Sequence, residues 1–362
     1  MKQILVSAFC VGAFSLTACG GDTKTVDSAA GSASPAATSG GVDLTGAGAT
    51  FPYPIYSKWF SDYASRTGIK INYQAIGSGG GIRQLIEGTI AFGGTDAPMT
   101  DDEIAKAKGP ILHIPTVLGA VVLTYNVPGL TQPLNLTGDV IADIFLGKIT
   151  KWNDGRIAAL NTGAKLPASD ILVVHRSEGS GTTFIFSDYL SAVSPAWAAG
   201  PGRGKELKWP VGLGGRGNDG VSGQVKQTPG TIGYVELAYA NQNRLPVAAV
   251  KNAAGTFVAP STESITAAAA GAVERLPPTT DFRVSIVNAP GANAYPISSF
   301  TWLIVYQNQP DATKGKKLVD FMRWALTEGQ SSAAGLDYAP LPASLGSKLT
   351  ERLSTIQVGT AS

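Results

Sequence analysis

The chain has 362 residues with 28 basic and 26 acidic side chains, which gives a formal net charge of +2 at pH 7. This near balance leaves no surplus of positive charge to hold a polyanion by counterion release, and it argues against nucleic acid as a partner. The 44% of hydrophobic residues suffices for a folded core. With two cysteines and two histidines in no zinc-ligand spacing, we expect neither a metal site nor a cofactor.

The first 18 residues have the pattern of an export signal. Lys2 is followed by an apolar run over residues 4–14, too short for a membrane span, and then by Leu16-Thr17-Ala18-Cys19. This tetrad resembles a bacterial lipobox, which implies cleavage before Cys19 and lipidation of its sulfur. An ordinary signal peptide that contains a cysteine is the alternative. We expect an exported protein, periplasmic or at the cell surface, that is anchored to the membrane by lipid on Cys19.

The next segment, residues 19–43, consists mainly of Gly, Ser, Ala and Thr, with no large apolar side chain beyond single valines. Such a segment cannot bury enough surface to offset its chain entropy, so we predict a flexible tether. From Leu44 onward the composition is that of a globular domain. The most apolar stretch, residues 111–130, is interrupted by His113 and by prolines, and it predicts two buried strands rather than a membrane span.

Hydrophobic periodicity predicts alternating strands and helices in the rest of the chain. A helix over residues 55–63 leads into a strand over 69–73, and a short helix that contains Ile82 and Leu85 follows Gly79-Gly80-Gly81. Further strands are predicted at 119–125, 171–174, 231–234 and 300–306, and further helices at 137–146, 182–192 and 313–326. This alternation favours an α/β fold with two lobes.

Three glycine-rich turns precede predicted helices: GAGATFP at 46–52, IGSGGG at 76–81 and RSEGSGTT at 176–183. Free N–H groups and the positive end of the dipole at a helix start favour an anion. For any single turn, helix capping by Ser or Thr is the alternative. Three such turns in one chain favour a tetrahedral oxyanion. The planar fork of Arg176 matches two oxygens of such an anion, and Glu178 is suited to orient it.

Motifs of competing functions are missing from the sequence. None of the three turns has the G-x-x-x-x-G-K-[ST] pattern, and no G-x-S-x-G elbow occurs. His113 and His175 have no nucleophile partner in the sequence, so we expect them to be structural or peripheral. Binding without catalysis is the simpler hypothesis, and we predict that the chain is not an enzyme. An exported phosphoryl-transfer enzyme and a surface adhesin or scavenger remain the alternatives.

Several segments, taken together, identify a family. They are TGAGATFPYPIYSKW at 45–59, NYQAIGSGGGIRQL at 72–85, FGGTDAPMT at 92–100, FLGKITKWND at 145–154, HRSEGSGTTFIF at 175–186, WPVGLGGRGNDG at 209–220, GTIGYVELAYA at 230–240 and LDYAPLP at 336–342. They resemble the substrate-binding protein of bacterial phosphate-specific ABC transporters, in order and over nearly the whole mature chain. The resemblance implies high-affinity binding of inorganic phosphate and its delivery to the subunits of a membrane permease.

The same resemblance implies a two-lobed periplasmic-binding-protein fold of type II, with the ligand between lobes joined by a two-strand hinge. Lobe one would take residues 44–122 and 297–362, and lobe two would take 123–296, with crossovers near 121–126 and 295–301. We expect a monomer. Whether arsenate competes with phosphate is left open.

Carried over residue by residue, the resemblance also predicts the phosphate contacts. Asp96 would accept a hydrogen bond from protonated phosphate, and Glu178 would orient Arg176. The predicted contact residues are Thr50, the backbone N–H of Phe51, Ser78, Asp96, Arg176, Ser180, Gly181 and Thr182. The chain departs from the family pattern at Gly79, Glu178 and His175, where serine, aspartate and arginine are frequent.

Overall fold

The computed structural model describes residues 43–273, 276–277 and 280–359. The predicted signal at 1–18, the predicted lipidation site Cys19 and the predicted tether up to residue 42 lie outside the described residues. No helix in the described ranges combines the length and the apolar character that a membrane crossing requires.

The described residues alternate between strands and helices, as the periodicity predicts. The strands are β1 Leu44–Gly48, β2 Ile71–Ala75, β3 Phe92–Thr95, β4 Ile111–Tyr125, β5 Asn135–Leu136, β6 Leu172–Arg176, β7 Leu213–Gly215, β8 Thr231–Glu236, β9 Ala249–Lys251, β10 Phe257–Val258, β11 Ser298–Tyr306, β12 Asn308–Gln309 and β13 Gln357–Val358. The α-helices are α1 Tyr53–Thr67, α2 Ser78–Glu87, α3 Asp101–Ala105, α4 Gly138–Phe145, α5 Gly155–Leu160, α6 Gly181–Val193, α7 Pro195–Ala199, α8 Gly217–Gln227, α9 Leu237–Gln242, α10 Thr262–Val273, α11 Ala312–Leu326 and α12 Gly346–Ser354.

Eight of these strands form one mixed sheet in the order β2-β1-β3-β11-β4-β8-β6-β7. Strand β1 is parallel to β2 and β3 on one side of the sheet, and β6 is parallel to β7 and β8 on the other. The antiparallel strands β4 and β11 lie between these two groups. The predicted α/β fold is therefore confirmed.

Strand β4 connects the two groups. Residues 111–120 pair with β11, whereas residues 121–125 pair with β8. The prediction of two strands over 111–130 is wrong, because β4 is a single strand that is buried along its whole length. Pro115 is accommodated where the register between β4 and β11 shifts, at a β-bulge between Thr301 and Trp302.

Helix α1 shows how the sequence determines a local element. Pro52 and Pro54 occupy its start, where missing N–H groups cost nothing, and the helix ends at Gly68 in the left-handed conformation with φ of 75°. Its buried side chains recur at helical spacing and pack on the sheet: Ile55, Tyr56, Trp59, Phe60 and Tyr63. Helix α1 thereby fixes the turn that follows β1.

Helix α2 begins earlier than predicted. It starts at Ser78, so the three consecutive glycines lie within its first turn and not before it. A Cβ on Gly81 would come within 2.5 Å of the Ala47 carbonyl oxygen in β1. Only glycine permits this close approach of the helix to the strand, and that proximity overrides the poor helix propensity of a Gly-Gly-Gly run.

Candidate functional site

The carboxyl ends of three neighbouring parallel strands bring polar residues together. Thr50 follows β1, Ser78 follows β2 and Asp96 follows β3, and all three are at most 2% exposed. In open α/β sheets, ligands bind outside the carboxyl ends of strands. The fold therefore gathers these predicted residues at the position where a ligand is expected.

Ser78 links the first strand group to the turn that precedes α6. Its Oγ accepts hydrogen bonds from the backbone N–H of Gly181 at 3.1 Å and of Asp96 at 3.3 Å. A Cβ on Gly181 would lie 2.5 Å from both Ser78 Oγ and Asp96 Oδ2. The turn can approach these two side chains only because residue 181 is glycine.

The Asp96 carboxyl is fully buried, with each oxygen in a different environment. Oδ1 accepts a hydrogen bond from the Thr301 hydroxyl at 2.7 Å, whereas Oδ2 lies 3.5 Å from Ser78 Oγ. Burial raises the pKa of Asp96 to about 7, against the opposing effects of Thr301, Arg176 and Ser78. Near neutral pH this carboxyl can therefore either carry a proton or accept one from a neighbouring group.

Arg176 supplies the positive charge of the cluster and is 3% exposed. Its Nε donates to Glu178 Oε1 at 3.0 Å, Nη2 donates to the same oxygen, and Nη1 donates to Thr182 Oγ1 at 3.0 Å. Glu178 Oε1 also accepts the backbone N–H of Gly217 at the start of α8. The longer glutamate thus connects Arg176 to α8 while holding the orientation of the guanidinium group.

Asn218 in α8 joins the two sides of the cluster, and sequence reasoning assigned it no role. Its Nδ2 donates to Thr50 Oγ1 at 2.9 Å and to Thr182 Oγ1 at 3.3 Å. Its Oδ1 accepts the backbone N–H of Glu236 at 3.0 Å, which sets the orientation of the amide. The signal was present in the sequence, since Asn218 lies in the WPVGLGGRGNDG segment.

Three buried tyrosines support the turns around the cluster, and they too were missed. Tyr239 donates to the Thr50 carbonyl at 2.6 Å, and Tyr338 donates to the Phe51 carbonyl at 2.6 Å. Tyr234 lies 2.6 Å from Thr183 Oγ1 in α6. All three lie in segments that carry the family resemblance, but a buried phenol that holds a distant backbone or side-chain group leaves no motif of its own.

Ser180 and Phe51 flank the cluster without joining its side-chain contacts. The Ser180 hydroxyl caps α6 by accepting the N–H of Thr183 at 3.1 Å, and its own N–H donates to the Lys205 carbonyl. The capping alternative is therefore realised at this turn. Phe51 is fully buried and lies two residues before the first residue of α1.

The histidines lie apart from this chemistry. His113 is buried and accepts the N–H of Met99 at 3.0 Å, and burial lowers its pKa to about 3. His175 stacks on Trp209 with ring centroids 4.6 Å apart. Across the described ranges, no group of three or more His, Cys, Asp or Glu side chains has a geometry suited to a metal ion.

Backbone contacts between the turns before α2 and α6 cover the cluster. The N–H of Gly79 donates to the Gly179 carbonyl at 2.9 Å, and a Cβ on Gly79 would lie only 3.2 Å from Gly179 Cα. Nearby, Lys205 forms a partly buried ion pair with Glu103 at 2.6 Å. The turns before α2 and α6 are thus held together directly, which leaves the cluster shielded from solvent.

Comparisons with known proteins identify the family of the chain. Residues 29–328 match the PBP superfamily domain. The chain is 46% identical over 313 residues to the phosphate-binding protein PstS of Pasteurella multocida, covering 86% of this chain and 90% of that protein. It is 35% identical over 364 residues to the phosphate-binding protein PstS 2 of Mycobacterium tuberculosis, covering 97% of both.

A solved structure supports the fold. A high-affinity periplasmic phosphate-binding protein, PfluDING, crystallised with phosphate, superposes with a TM-score of 0.69 at 21% identity, covering 86% of this chain and 93% of that chain. At this identity the likeness concerns the fold alone, while the identities to the PstS proteins extend over most of both sequences. The chain therefore belongs to the PstS family of phosphate-binding proteins, within the PBP superfamily.

Proposed function

We propose that this protein binds inorganic phosphate outside the cytoplasmic membrane, as a monomer, and delivers it to the permease of an ABC transporter for import. One observation carries the proposal: a buried guanidinium, hydroxyls and helix starts converge on the Asp96 carboxyl, whose pKa is about 7. An anion that brings its own proton suits such a carboxyl, and phosphate keeps a proton at neutral pH. The relatives' names point to the same ligand.

The proposed contacts divide between the two strand groups. Thr50, the N–H of Phe51 and Ser78 donate from the turns after β1 and β2, and Asp96 accepts a hydrogen bond from the phosphate proton. Donors from the other group complete the shell: Arg176, Ser180, Gly181 and Thr182. Helix starts at α1, α2 and α6 add partial positive charge without any further side chain.

We also propose that lobes 44–122 with 297–362 and 123–296 move about the strands β4 and β11. The N–H of Val121 donates to the Ile297 carbonyl at 2.9 Å, so the two predicted crossovers lie beside each other. Strands β4 and β11 lie side by side and carry both of the proposed connections between the lobes, so they can bend together. Opening there would separate Ser78 from Gly181 and admit the anion.

The family favours a binding protein over an enzyme, since its members are named for what they bind. An exported phosphoryl-transfer enzyme would need a nucleophile or metal ligands beside the anion. The groups around Asp96 are instead hydrogen-bond donors, which hold an oxyanion without attacking it.

Calorimetric titration tests the proposed ligand. We expect phosphate to bind with about micromolar or tighter affinity, and sulfate and phosphate esters to bind far more weakly, because a closed donor shell has room for one small tetrahedral anion. Arsenate, which has the same shape and also retains a proton, should compete. Equal affinity for sulfate and phosphate, or preferential binding of an ester, would contradict the proposal.

The proposal also covers where in the cell the protein acts. The signal at 1–18 and Cys19 favour export followed by lipid anchoring, with residues 19–43 as the tether. Replacing Cys19 with Ser should abolish incorporation of labelled fatty acid while leaving phosphate affinity unchanged, because the tether separates the anchor from the folded domain. A Cys10→Ser variant is the matched control, since that cysteine lies within the signal. Fatty-acid labelling that survives in Cys19→Ser would refute the anchor.

A further inference from the structure

A second buried carboxyl lies close to the anion cluster but belongs to no part of its proposed contact shell. Glu236 ends strand β8 and is fully buried. Its Oε2 accepts the backbone N–H of Ala238 at 2.8 Å and lies 3.1 Å from the Tyr338 hydroxyl oxygen. Its Oε1 has no hydrogen-bond partner among the described residues. An ionised carboxylate in this position would be costly.

The number of hydrogens available around Tyr338 bears on the protonation of Glu236. The Tyr338 hydroxyl has one hydrogen, and its oxygen lies 2.6 Å from the Phe51 carbonyl, an oxygen that carries none. The phenolic hydrogen therefore lies in this short contact. The 3.1 Å contact between Tyr338 and Glu236 then needs a hydrogen from the carboxyl.

Burial and the surrounding charges also favour the neutral acid. Burial raises the pKa of Glu236 well above its usual range, and the negative charges of Asp337 and Asp96 raise it further, against the opposing effects of the contacts with Ala238 and Tyr338. On strand β4, Val121 pairs with Glu236 and Gly119 lies beside its Oε1, and neither residue titrates. Tyr239 and Tyr338, the remaining titratable neighbours, have raised pKa values and are neutral near pH 7.

The contacts of Glu236 lead to the proposed anion donors. Tyr338 holds the Phe51 carbonyl, and Tyr239 in the adjoining α9 holds the Thr50 carbonyl. The Thr50 carbonyl and the Phe51 N–H belong to one peptide group. A hydrogen bond to that carbonyl polarises the peptide group and makes its N–H a stronger donor.

We infer that Glu236 is a positioning residue that works as a neutral acid: it keeps its proton at neutral pH, donates it to Tyr338, and through Tyr338 fixes the turn that presents the Phe51 N–H. The inference rests on the proposed phosphate site for its consequence in binding. The protonation itself is independent of any ligand. Glutamine has the same shape and carries no titrating proton, but its amide can keep only one of the two Oε2 contacts, because neither amide atom can both accept the Ala238 N–H and donate to Tyr338.

Unfolding without phosphate tests the proton. Above pH of about 4.5 the unfolded glutamate is ionised, whereas the folded Glu236 retains its proton, so unfolding releases a proton and wild-type stability falls as pH rises toward the folded pKa. The Glu236→Gln variant has no titrating proton at this position, so this fall in stability with rising pH is absent from it. The ratio of the unfolding equilibrium constants, wild type over variant, should rise by up to about tenfold per pH unit between about pH 5 and 7. A ratio that is already constant below pH 7 would overturn the inference.

Phosphate titrations at pH 7 test the positioning. Tyr338→Phe should bind phosphate about three- to tenfold more weakly than wild type, as expected for one lost hydrogen bond, and Glu236→Gln, which loses one of the two Oε2 contacts, should lose no more than this. Trp152→Phe is the control, because Trp152 is equally buried and also loses one hydrogen bond, to the Gly230 carbonyl, away from the turn and from the proposed hinge. Wild-type affinity in Tyr338→Phe, or a loss in Trp152→Phe as large as in Tyr338→Phe, would refute the positioning role.

The two measurements separate the possible failures. If the wild-type protein does not bind phosphate, the proposed function fails, and the pH dependence of unfolding still reports the proton on Glu236. If phosphate binds but the unfolding ratio is flat, the function stands and the neutral acid is wrong.

Discussion

Replacing Arg176 with Ala should weaken phosphate binding by about 2 to 5 kcal/mol, or roughly thirtyfold to several thousandfold. The guanidinium is almost fully buried and already oriented by Glu178 and Thr182, so it meets the anion without ordering cost. Its removal also leaves the Glu178 carboxylate beside the incoming anion with no compensating cation. Isothermal titration at constant ionic strength measures the effect.

Two further variants separate these contributions. Arg176→Lys should recover only part of the affinity, since a point charge cannot donate to Glu178 and Thr182 with one planar group. Adding Glu178→Gln to Arg176→Ala should recover part of the loss by removing the unpaired charge. Phosphate affinity unchanged in both single variants at position 176 would remove Arg176 from the site.

At about pH 8 or above, where Asp96 with its pKa of about 7 is ionised, replacing Asp96 with Asn should lower the preference for phosphate over sulfate by about tenfold or more, where about 1.4 kcal/mol corresponds to one decade. Phosphate can donate its proton to Asp96 Oδ2, whereas sulfate presents only bare oxygens to it. An unpaired buried charge opposite sulfate costs more than the about 1 to 3 kcal/mol of a neutral polar group. The amide retains an acceptor for phosphate and offers sulfate a donor, so phosphate affinity should change only modestly.

The pH dependence of sulfate binding provides a cleaner test, because sulfate itself does not titrate near neutrality. Sulfate should bind the form of the protein in which Asp96 is protonated. With a pKa of about 7 for Asp96, wild-type affinity for sulfate should fall by up to about tenfold per unit above pH 7 and level off below it. The Asp96→Asn variant should show no such slope. A flat profile in wild type would place the selectivity elsewhere.

The sequence predicted the parts of the site that depend on local patterns. Glycines and hydroxyls at helix starts mark Thr50, Ser78 and Thr182, because helix geometry leaves N–H groups free at those positions. Asn218 and Thr301 could not be found in this way. Asn218 lies in the first turn of α8 and has no hydroxyl, Thr301 lies within strand β11, and each reaches the cluster only because distant elements pack beside it.

The same limit explains the error in β4. Local periodicity and Pro115 indicated a break in the chain, but β11 pairs with residues 111–120 and β8 takes over at 121–125, so one strand stays intact. The bulge beside Pro115 occurs at Thr301, whose hydroxyl donates to Asp96. The strand irregularity beside Pro115 therefore lies next to a side chain of the proposed site.

The bridge made by Asn218 also sets the direction of the hydroxyl hydrogens. Thr50 and Thr182 both accept from its amide, and Thr182 accepts from Arg176 as well, so the oxygens are occupied as acceptors. Each hydroxyl is then left with its own hydrogen to give. A guest that needs acceptors, such as a metal cation or an ammonium group, finds none at these two hydroxyls, whereas an oxyanion enters without either hydroxyl having to turn.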